Sequence, residues 1–130
     1  MARFKAHYFV AYFRAKPRGK LPPRFGVVTA CDPLGKKTPA ATNRRRDAVL
    51  RRLLKKLGLP HFRVTGGSED GSHREPGWGV IAPRETVRAL AKRFTQDAYF
   101  WISSEKVRLG SAAGGPLRPA GTWSARQARW

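Results

Sequence analysis

The clearest periodicity in the chain lies between Thr38 and Gly58, where aliphatic residues recur every three or four positions. At about 100° per residue, these side chains share one side of a helix, and six of the seven Lys and Arg residues share the other. Arg46 is the seventh, and it falls on the apolar side. Thr38 suits the N-cap and Gly58 the left-handed C-terminal cap, so the pattern predicts an amphipathic helix with a positive outer flank. That flank comprises Arg44, Arg45, Arg51, Arg52, Lys55 and Lys56.

A second amphipathic helix follows Pro83, with Val87, Leu90 and Phe94 on its apolar side. Short apolar or aromatic runs bounded by Gly, Pro or Asp-Pro predict strands. The first of these runs, residues 4–13, is rich in aromatic residues and is predicted to be buried on both faces. The predicted strands are residues 4–13, 25–33 (which ends in the Asp-Pro turn), 61–65 and 78–82, and residues 98–103 and 106–109 are predicted to form a closing strand or hairpin.

From residue 25 onward the predicted elements follow the order β-α-β-β-α-β, with one extra strand in front. This order predicts an α/β (α+β) fold, in which a single-layer mixed or antiparallel sheet carries two helices in ferredoxin-like order. A different mixed sheet is the alternative. We expect residues 1–109 to form a single compact domain. Gly, Ala and Pro are frequent in residues 110–130, which predicts a basic tail, although Trp123 and Trp130 indicate that part of it docks on the domain or on a partner.

Charge is the feature of the composition that indicates a partner. The chain has 27 Lys and Arg against 8 Asp and Glu, a net charge of +19, which is far beyond what solubility requires. Residues 1–60 carry 16 basic and 2 acidic residues, whereas residues 61–130 carry 11 basic and 6 acidic residues. A polyanion is the economical explanation, with nucleic acid favoured over an acidic protein and over an anionic membrane.

A basic segment broken by prolines, residues 14–24, extends the positive charge of the first half. Two interpretations are open for it, a phosphate-contacting arm and a solvated connection. Its basic residues are Arg14, Lys16, Arg18, Lys20 and Arg24.

Cys31 is the only cysteine, which excludes a disulfide framework and a Cys-based zinc site. No apolar run reaches the roughly 18 residues of a membrane span. The N-terminal stretch lacks the apolar core and the cleavage site of a secretory signal. These observations predict an intracellular, cytoplasmic protein.

Four segments carry a family resemblance: FGVVTACDP at 25–33, the basic helix opened near Asn43, EPGWGVIA at 75–82 and ETVRALAKRFTQDAYFW at 85–101. Together they resemble a family of small bacterial proteins catalogued as domain of unknown function 3293, over roughly residues 25–109. Members typically carry a Thr-Ala-Trp-Asn-Pro type turn where this chain has TACDP, and often a Phe-Gly-Gln segment where this chain has FTQ. The resemblance implies a compact α/β domain and no established activity. The strong basic charge is a feature of this chain.

Motifs for catalysis or cofactor binding are weak. The segment GWGVIA at 77–82 matches the letters of a dinucleotide fingerprint, but in that fingerprint the glycines open a helix, whereas here they begin a predicted strand. The three histidines and their neighbouring carboxylates lack metal-ligand spacing, so we expect no metal site and no cofactor. The best enzyme hypothesis is an acid–base pair of His73 and Glu75, aided by Asp70 or Asp32, in a small nuclease-like enzyme.

The sequence therefore predicts a non-catalytic accessory protein that binds nucleic acid or a ribonucleoprotein through the outer flank of the helix and the segment 14–24. Most charged helix faces are simply solvated, but here Asp47 is the only acid on a helix with seven cations. The alternatives are the nuclease-like enzyme and an adaptor that binds an acidic protein surface. RNA is favoured over DNA because unpaired bases stack on exposed aromatic residues. The candidates for stacking are Tyr8, Tyr12, Phe62, Tyr99 and Trp101.

Overall fold

The computed structural model describes residues 6–16 and 19–130, which form a seven-stranded sheet and two α-helices. No helix within these residues is both long enough and apolar enough to cross a membrane. The strands are β1 (Tyr12–Lys16), β2 (Arg24–Thr29), β3 (His61–Gly67), β4 (Arg74–Val80), β5 (Ala98–Ser103), β6 (Lys106–Ser111) and β7 (Arg118–Thr122), and the helices are α1 (Ala40–Lys56) and α2 (Arg84–Arg93).

The sheet has the strand order β1-β3-β4-β2-β5-β6-β7, and every neighbouring pair is antiparallel. The predicted α+β architecture, a sheet with two helices on it, is therefore confirmed. Elements β2 to β5 also follow the predicted β-α-β-β-α-β order along the chain. The sheet nevertheless differs from a ferredoxin-like sheet with one added strand, because it has seven strands and is strongly curled.

The curl brings the chain after β7 back to β1 at the opposite edge of the sheet. Phe13 forms an isolated parallel bridge with Gln127. The Ala128 N–H donates to the Phe13 carbonyl over 2.8 Å. These contacts cover part of the main chain of an edge strand, which otherwise offers free groups for pairing with another molecule.

The two faces of the sheet bury different clusters of side chains. Because successive strand residues point to opposite faces, Val28 of β2 packs beneath the helices while Phe25 and Val27 point into the curl. Gly26 lies against α2 so closely that a Cβ atom there would overlap the Val87 side chain. The helix-side cluster includes Leu50, Leu54, Val80, Val87, Leu90 and Ala91, and the inner cluster includes Phe13, Phe25, Val64, Val107, Ala120 and Trp123.

Arg46 holds α1 on the sheet. Its Nε donates to the Ala30 carbonyl and its Nη2 to the Phe94 carbonyl, each over 2.6 Å. This is the one cation that the helical periodicity places on the apolar side. It satisfies two main-chain carbonyls at the end of β2 and the end of α2, and it does not belong to the solvent-facing charge.

The N-terminal strand is shorter and begins later than predicted. Residues 6–10 form a 3-10 helix, β1 begins at Tyr12, and residues 4 and 5 lie outside the described residues. The aromatic residues before β1 do not follow strand alternation, and Phe9 packs against the inner cluster from this helix. In β1 itself the buried residues are Phe13 and Ala15, so part of the predicted basic loop belongs to the sheet.

Residues 110–130 pack on the domain instead of extending from it as a tail. They supply the end of β6, the whole of β7 and a 3-10 helix at Ser124–Arg126. Trp123 is only 5% exposed and stacks on Phe13, with their ring centroids 5.2 Å apart. The glycines that make this stretch resemble a tail include Gly110, where a Cβ atom would overlap the Tyr99 ring.

Replacing Trp123 tests whether this stretch belongs to the core. We expect Trp123→Ala to lower the free energy of unfolding by about 3–5 kcal/mol, because it leaves a cavity between Phe13 and Phe25. Urea unfolding followed by circular dichroism measures the loss. Trp130→Ala is the matched control and is expected to cost less, since Trp130 is only partly buried. A loss of less than about 1 kcal/mol for Trp123→Ala would contradict the described packing.

Candidate functional site

All six basic residues of the outer flank of α1 are exposed. Asp47, the only acid on the helix, accepts two hydrogen bonds from Arg63 of β3, over 2.9 and 2.8 Å. Within the described part of the chain, none of the six forms a salt bridge. We call them the basic flank: Arg44, Arg45, Arg51, Arg52, Lys55 and Lys56.

Trp78 of β4 lies beneath the edge of the basic flank. The Arg63 guanidinium is 3.7 Å from the centroid of the Trp78 ring, and that of Arg51 is 5.5 Å away. Cations over the face of an indole are attracted by its negative π-surface. The Asp47–Arg63 pair and this stacking fix α1 against β3, so the single acid of the helix is turned towards the sheet and away from the flank.

The described residues at the two ends of the segment 14–24 lie at the end of the sheet where the C-terminal turn of α1 leads into β3. Lys16 pairs with Arg63 near the start of β3, and β3 follows directly after the C-terminal turn of α1. Arg24 begins β2 at this same end of the sheet, since Gly26 pairs with Val80 at the end of β4. Lys16, Lys20 and Arg24 are exposed.

Arg14 and Arg18 are the other two predicted phosphate contacts in this segment. Arg14 is half-buried, and its guanidinium lies 5.4 Å from the centroid of the Trp130 ring. Arg18 lies outside the described residues. The positive surface at this end of the sheet is therefore composed of the C-terminal half of the basic flank together with Lys16, Lys20 and Arg24.

A cleft of about 660 Å³ opens at the opposite end of the sheet, inside the curl. Its floor is apolar and aromatic, with Phe13, Val27 and Phe100 among the residues that line it. Polar side chains line another part of its wall, where β2 ends and β4 begins. These polar residues include Asp32, Ser68, His73, Glu75 and Gln96.

Three of these polar side chains converge. One oxygen or nitrogen atom from each of Asp32, His73 and Glu75 lies within 4.8 Å of the other two. The His73 Nε2 and Glu75 Oε1 atoms are 3.8 Å apart. Burial raises the pKa of Glu75, an effect that His73 opposes and the nearby Asp32 carboxylate reinforces.

Asp32 is held in place by the first part of α1. It has a left-handed backbone conformation, with φ 45° and ψ 66°. Its Oδ1 accepts hydrogen bonds from the Asn43 Nδ2, over 2.9 Å, and from the Thr38 N–H, over 3.0 Å, while its own N–H donates to the Asn43 Oδ1 over 3.0 Å. Asn43 thus orients a carboxylate that the sequence places 11 residues earlier. No local sequence signal marks Asn43 for this role.

His73 is presented by a loop that is closed by its own hydrogen bonds. The Ser68 N–H donates to the His73 carbonyl over 2.9 Å. Asp70 accepts from the Ser72 N–H, the Ser72 hydroxyl and the Ser68 hydroxyl, and these bonds lower the pKa of Asp70 to about 2. Asp70 is therefore occupied within the loop, and Asp32 is the carboxylate that joins His73 and Glu75.

Other residues with possible chemistry are engaged elsewhere. Cys31 is buried, and burial raises the pKa of its thiol, which disfavours the thiolate needed for a nucleophile. The His61 Nδ1 contacts the Leu59 carbonyl at 2.8 Å, and its ring packs edge-on against Trp78. None of the five aromatic residues considered for base stacking is fully exposed: Tyr99 is buried, and Tyr8, Tyr12, Phe62 and Trp101 are half-buried.

Comparison with known proteins identifies the family to which the chain is similar. Neither the curated proteins nor the solved structures contain a match to this chain. Residues 28–99 match the family described as Protein of unknown function (DUF3293), which confirms the resemblance predicted from the sequence. Because the match spans more than half of the chain, the protein belongs to this family.

Proposed function

We propose that this protein binds nucleic acid, RNA in preference to DNA, through the basic flank of α1 and the adjoining Lys16, Lys20 and Arg24, without catalysing a reaction on it. The observation that carries the proposal is the exposure of six cations on one helix whose only acid is held by Arg63. A surface that serves solubility alone usually mixes charges of both signs. This flank does not mix them.

The geometry of the flank suits a charged polymer. Arg44 and Lys56 are separated by about 18 Å along the axis, given a rise of 1.5 Å per residue. Four of the six cations are arginines, whose planar guanidinium groups can donate two hydrogen bonds to one phosphate. Contacts of this kind release counterions from the nucleic acid and are largely indifferent to its sequence.

The distribution of charge over the chain supports the same partner. Of the net charge of +19, residues 1–60 contribute 16 − 2 = +14, and these residues include both the basic flank and the segment 14–24. A field of this size attracts polyanions and raises their rate of association. An acidic protein surface would experience the same attraction, so the experiment must distinguish the two partners.

Charge reversal within the flank tests the proposal. We expect the affinity for single-stranded RNA to fall steeply with salt, and the variant Arg51→Glu/Arg52→Glu/Lys55→Glu/Lys56→Glu to reduce the slope of log K against log salt by about 3, at roughly 0.7 per lost phosphate contact. Fluorescence anisotropy across a salt series measures the slope. A duplex DNA of equal length tests the preference for RNA, and equal or tighter binding of the duplex would contradict that preference.

A second variant with the same change in net charge serves as the control. It reverses four exposed cations away from the flank and is expected to retain most of the slope. An unchanged slope in the flank variant, or equal losses in both variants, would refute a localised binding surface. Tight binding of an acidic protein without binding of RNA would instead support the adaptor. The control positions are Lys92, Arg93, Arg118 and Arg129.

Replacing Arg46 tests whether this arginine stabilises the fold instead of contacting RNA, unlike the exposed arginines of the same helix. We expect Arg46→Met to lower the free energy of unfolding by roughly 2–4 kcal/mol, because the Ala30 and Phe94 carbonyls lose charged donors. The salt slope of RNA binding by the folded protein should not change. Urea unfolding and anisotropy measure the two effects, and a large loss of slope with normal stability would contradict this assignment.

A further inference from the structure

The cleft at the other end of the sheet has a feature that RNA binding through α1 does not use. In a chain with 27 Lys and Arg, the side chains of Asp32 and Glu75 gather with His73, and neither forms a salt bridge with Lys or Arg among the described residues. Two other acids of the described chain pair with arginines: Asp47 with Arg63, and Glu85 with Arg84 and Arg88. Two carboxylates that share one imidazole repel each other unless a cation lies between them.

We propose that Asp32, His73 and Glu75 form a binding site for a divalent transition-metal ion, Mn²⁺ or Zn²⁺, with open coordination positions that face the cleft. Two carboxylates and one imidazole are a donor set typical of such ions, since imidazole favours transition metals over Mg²⁺. The site is independent of the basic flank.

The distances between the donor atoms suit this assignment. Bonds of about 2.1 Å place two ligands about 3.4 Å apart at a tetrahedral angle. In this chain the three donor atoms lie within 4.8 Å of one another, so a shift of about an ångström closes the site. His73 has room for this movement because its side chain is 59% exposed.

Asn43 has the position of a residue that orients a metal ligand. The Asn43 amide and the Thr38 N–H both donate to Oδ1 of Asp32, which fixes this carboxylate. In the proposed site the second oxygen of Asp32 binds the ion. Residues that orient a metal ligand by a hydrogen bond typically contribute 10- to 100-fold to metal affinity. Asn43 is thus a positioning residue for the site.

The cleft beside the proposed ion has room for a small molecule that coordinates it. An organic molecule with an apolar body can lie against Phe13, Val27 and Phe100 while an oxygen atom of that molecule occupies an open position on the ion. The ligand class that fits is therefore a small oxygen-bearing molecule with an aromatic or aliphatic part. A long nucleic-acid strand fits the basic flank and not this concave space.

Metal titration of the full chain tests the site directly. Tag-free protein is stripped with EDTA and titrated with MnCl₂, ZnCl₂ or MgCl₂ by isothermal calorimetry, with free Mn²⁺ also followed by electron paramagnetic resonance. We expect one Mn²⁺ or Zn²⁺ per chain and at least tenfold weaker binding of Mg²⁺. The variants Glu75→Gln and His73→Ala should each weaken binding at least tenfold, and Asn43→Ala should weaken it less than either.

Matched variants outside the cluster distinguish metal binding at Asp32, His73 and Glu75 from non-specific binding to other acids and histidines. Asp97→Asn and His61→Gln change the same types of group elsewhere and are expected to retain full affinity. Circular dichroism confirms that each variant is folded, and His73→Ala, which changes an exposed side chain, keeps the test decisive if Glu75→Gln fails to fold. Binding that survives the double variant His73→Ala/Glu75→Gln, or an absence of Mn²⁺ and Zn²⁺ binding, would overturn the proposal. Because the RNA salt slope is measured separately, neither result bears on the basic flank.

Discussion

The attachment of α1 to the sheet is the constraint on which both candidate sites depend. Arg46 reaches inward to two main-chain carbonyls, and its neighbour Asp47 is held by Arg63. These contacts fix the rotation of the helix about its own axis. With that rotation set, the leucines face the sheet and the cations face water. The same rotation directs Asn43 to the turn after β2, where it orients Asp32. One docking geometry thus exposes a positive surface and shapes a polar cluster.

The acidic residues divide the molecule into two chemical regions. Where an acid would neutralise the basic flank, it is instead bound by Arg63 on the sheet side of the helix. Asp32 and Glu75, which form no salt bridge with Lys or Arg within the described ranges, line a cleft at the far end of the strands. In the proposed mode of binding, a polyanion is attracted to the end of the sheet that carries Lys16 and Arg24, and the cleft is left open to a small molecule.

Local patterns made the secondary structure predictable, and long-range contacts explain where prediction stopped. Helical periodicity located α1 and even isolated Arg46 as the inward cation. It could not locate β7, because Gly and Pro in that stretch are as typical of a tail as of an edge strand. The cluster at the cleft was predictable only in part: His73 and Glu75 are neighbours in sequence, whereas Asp32 joins them through the pairing of β2 with β4. Asn43 carried no signal, since its role exists only once the helix is docked.

The closing contact between Ala128 and Phe13 also bears on the order in which the protein folds. Chains are synthesised from the N-terminus, so Phe13 and Phe25 emerge about a hundred residues before Trp123, which completes their packing. Contacts between residues so distant in sequence form late and slow the overall reaction. Until then the aromatic interior of the curl is open on one side. A nascent chain therefore exposes an aromatic surface inside the curled sheet that a chaperone could shield during translation.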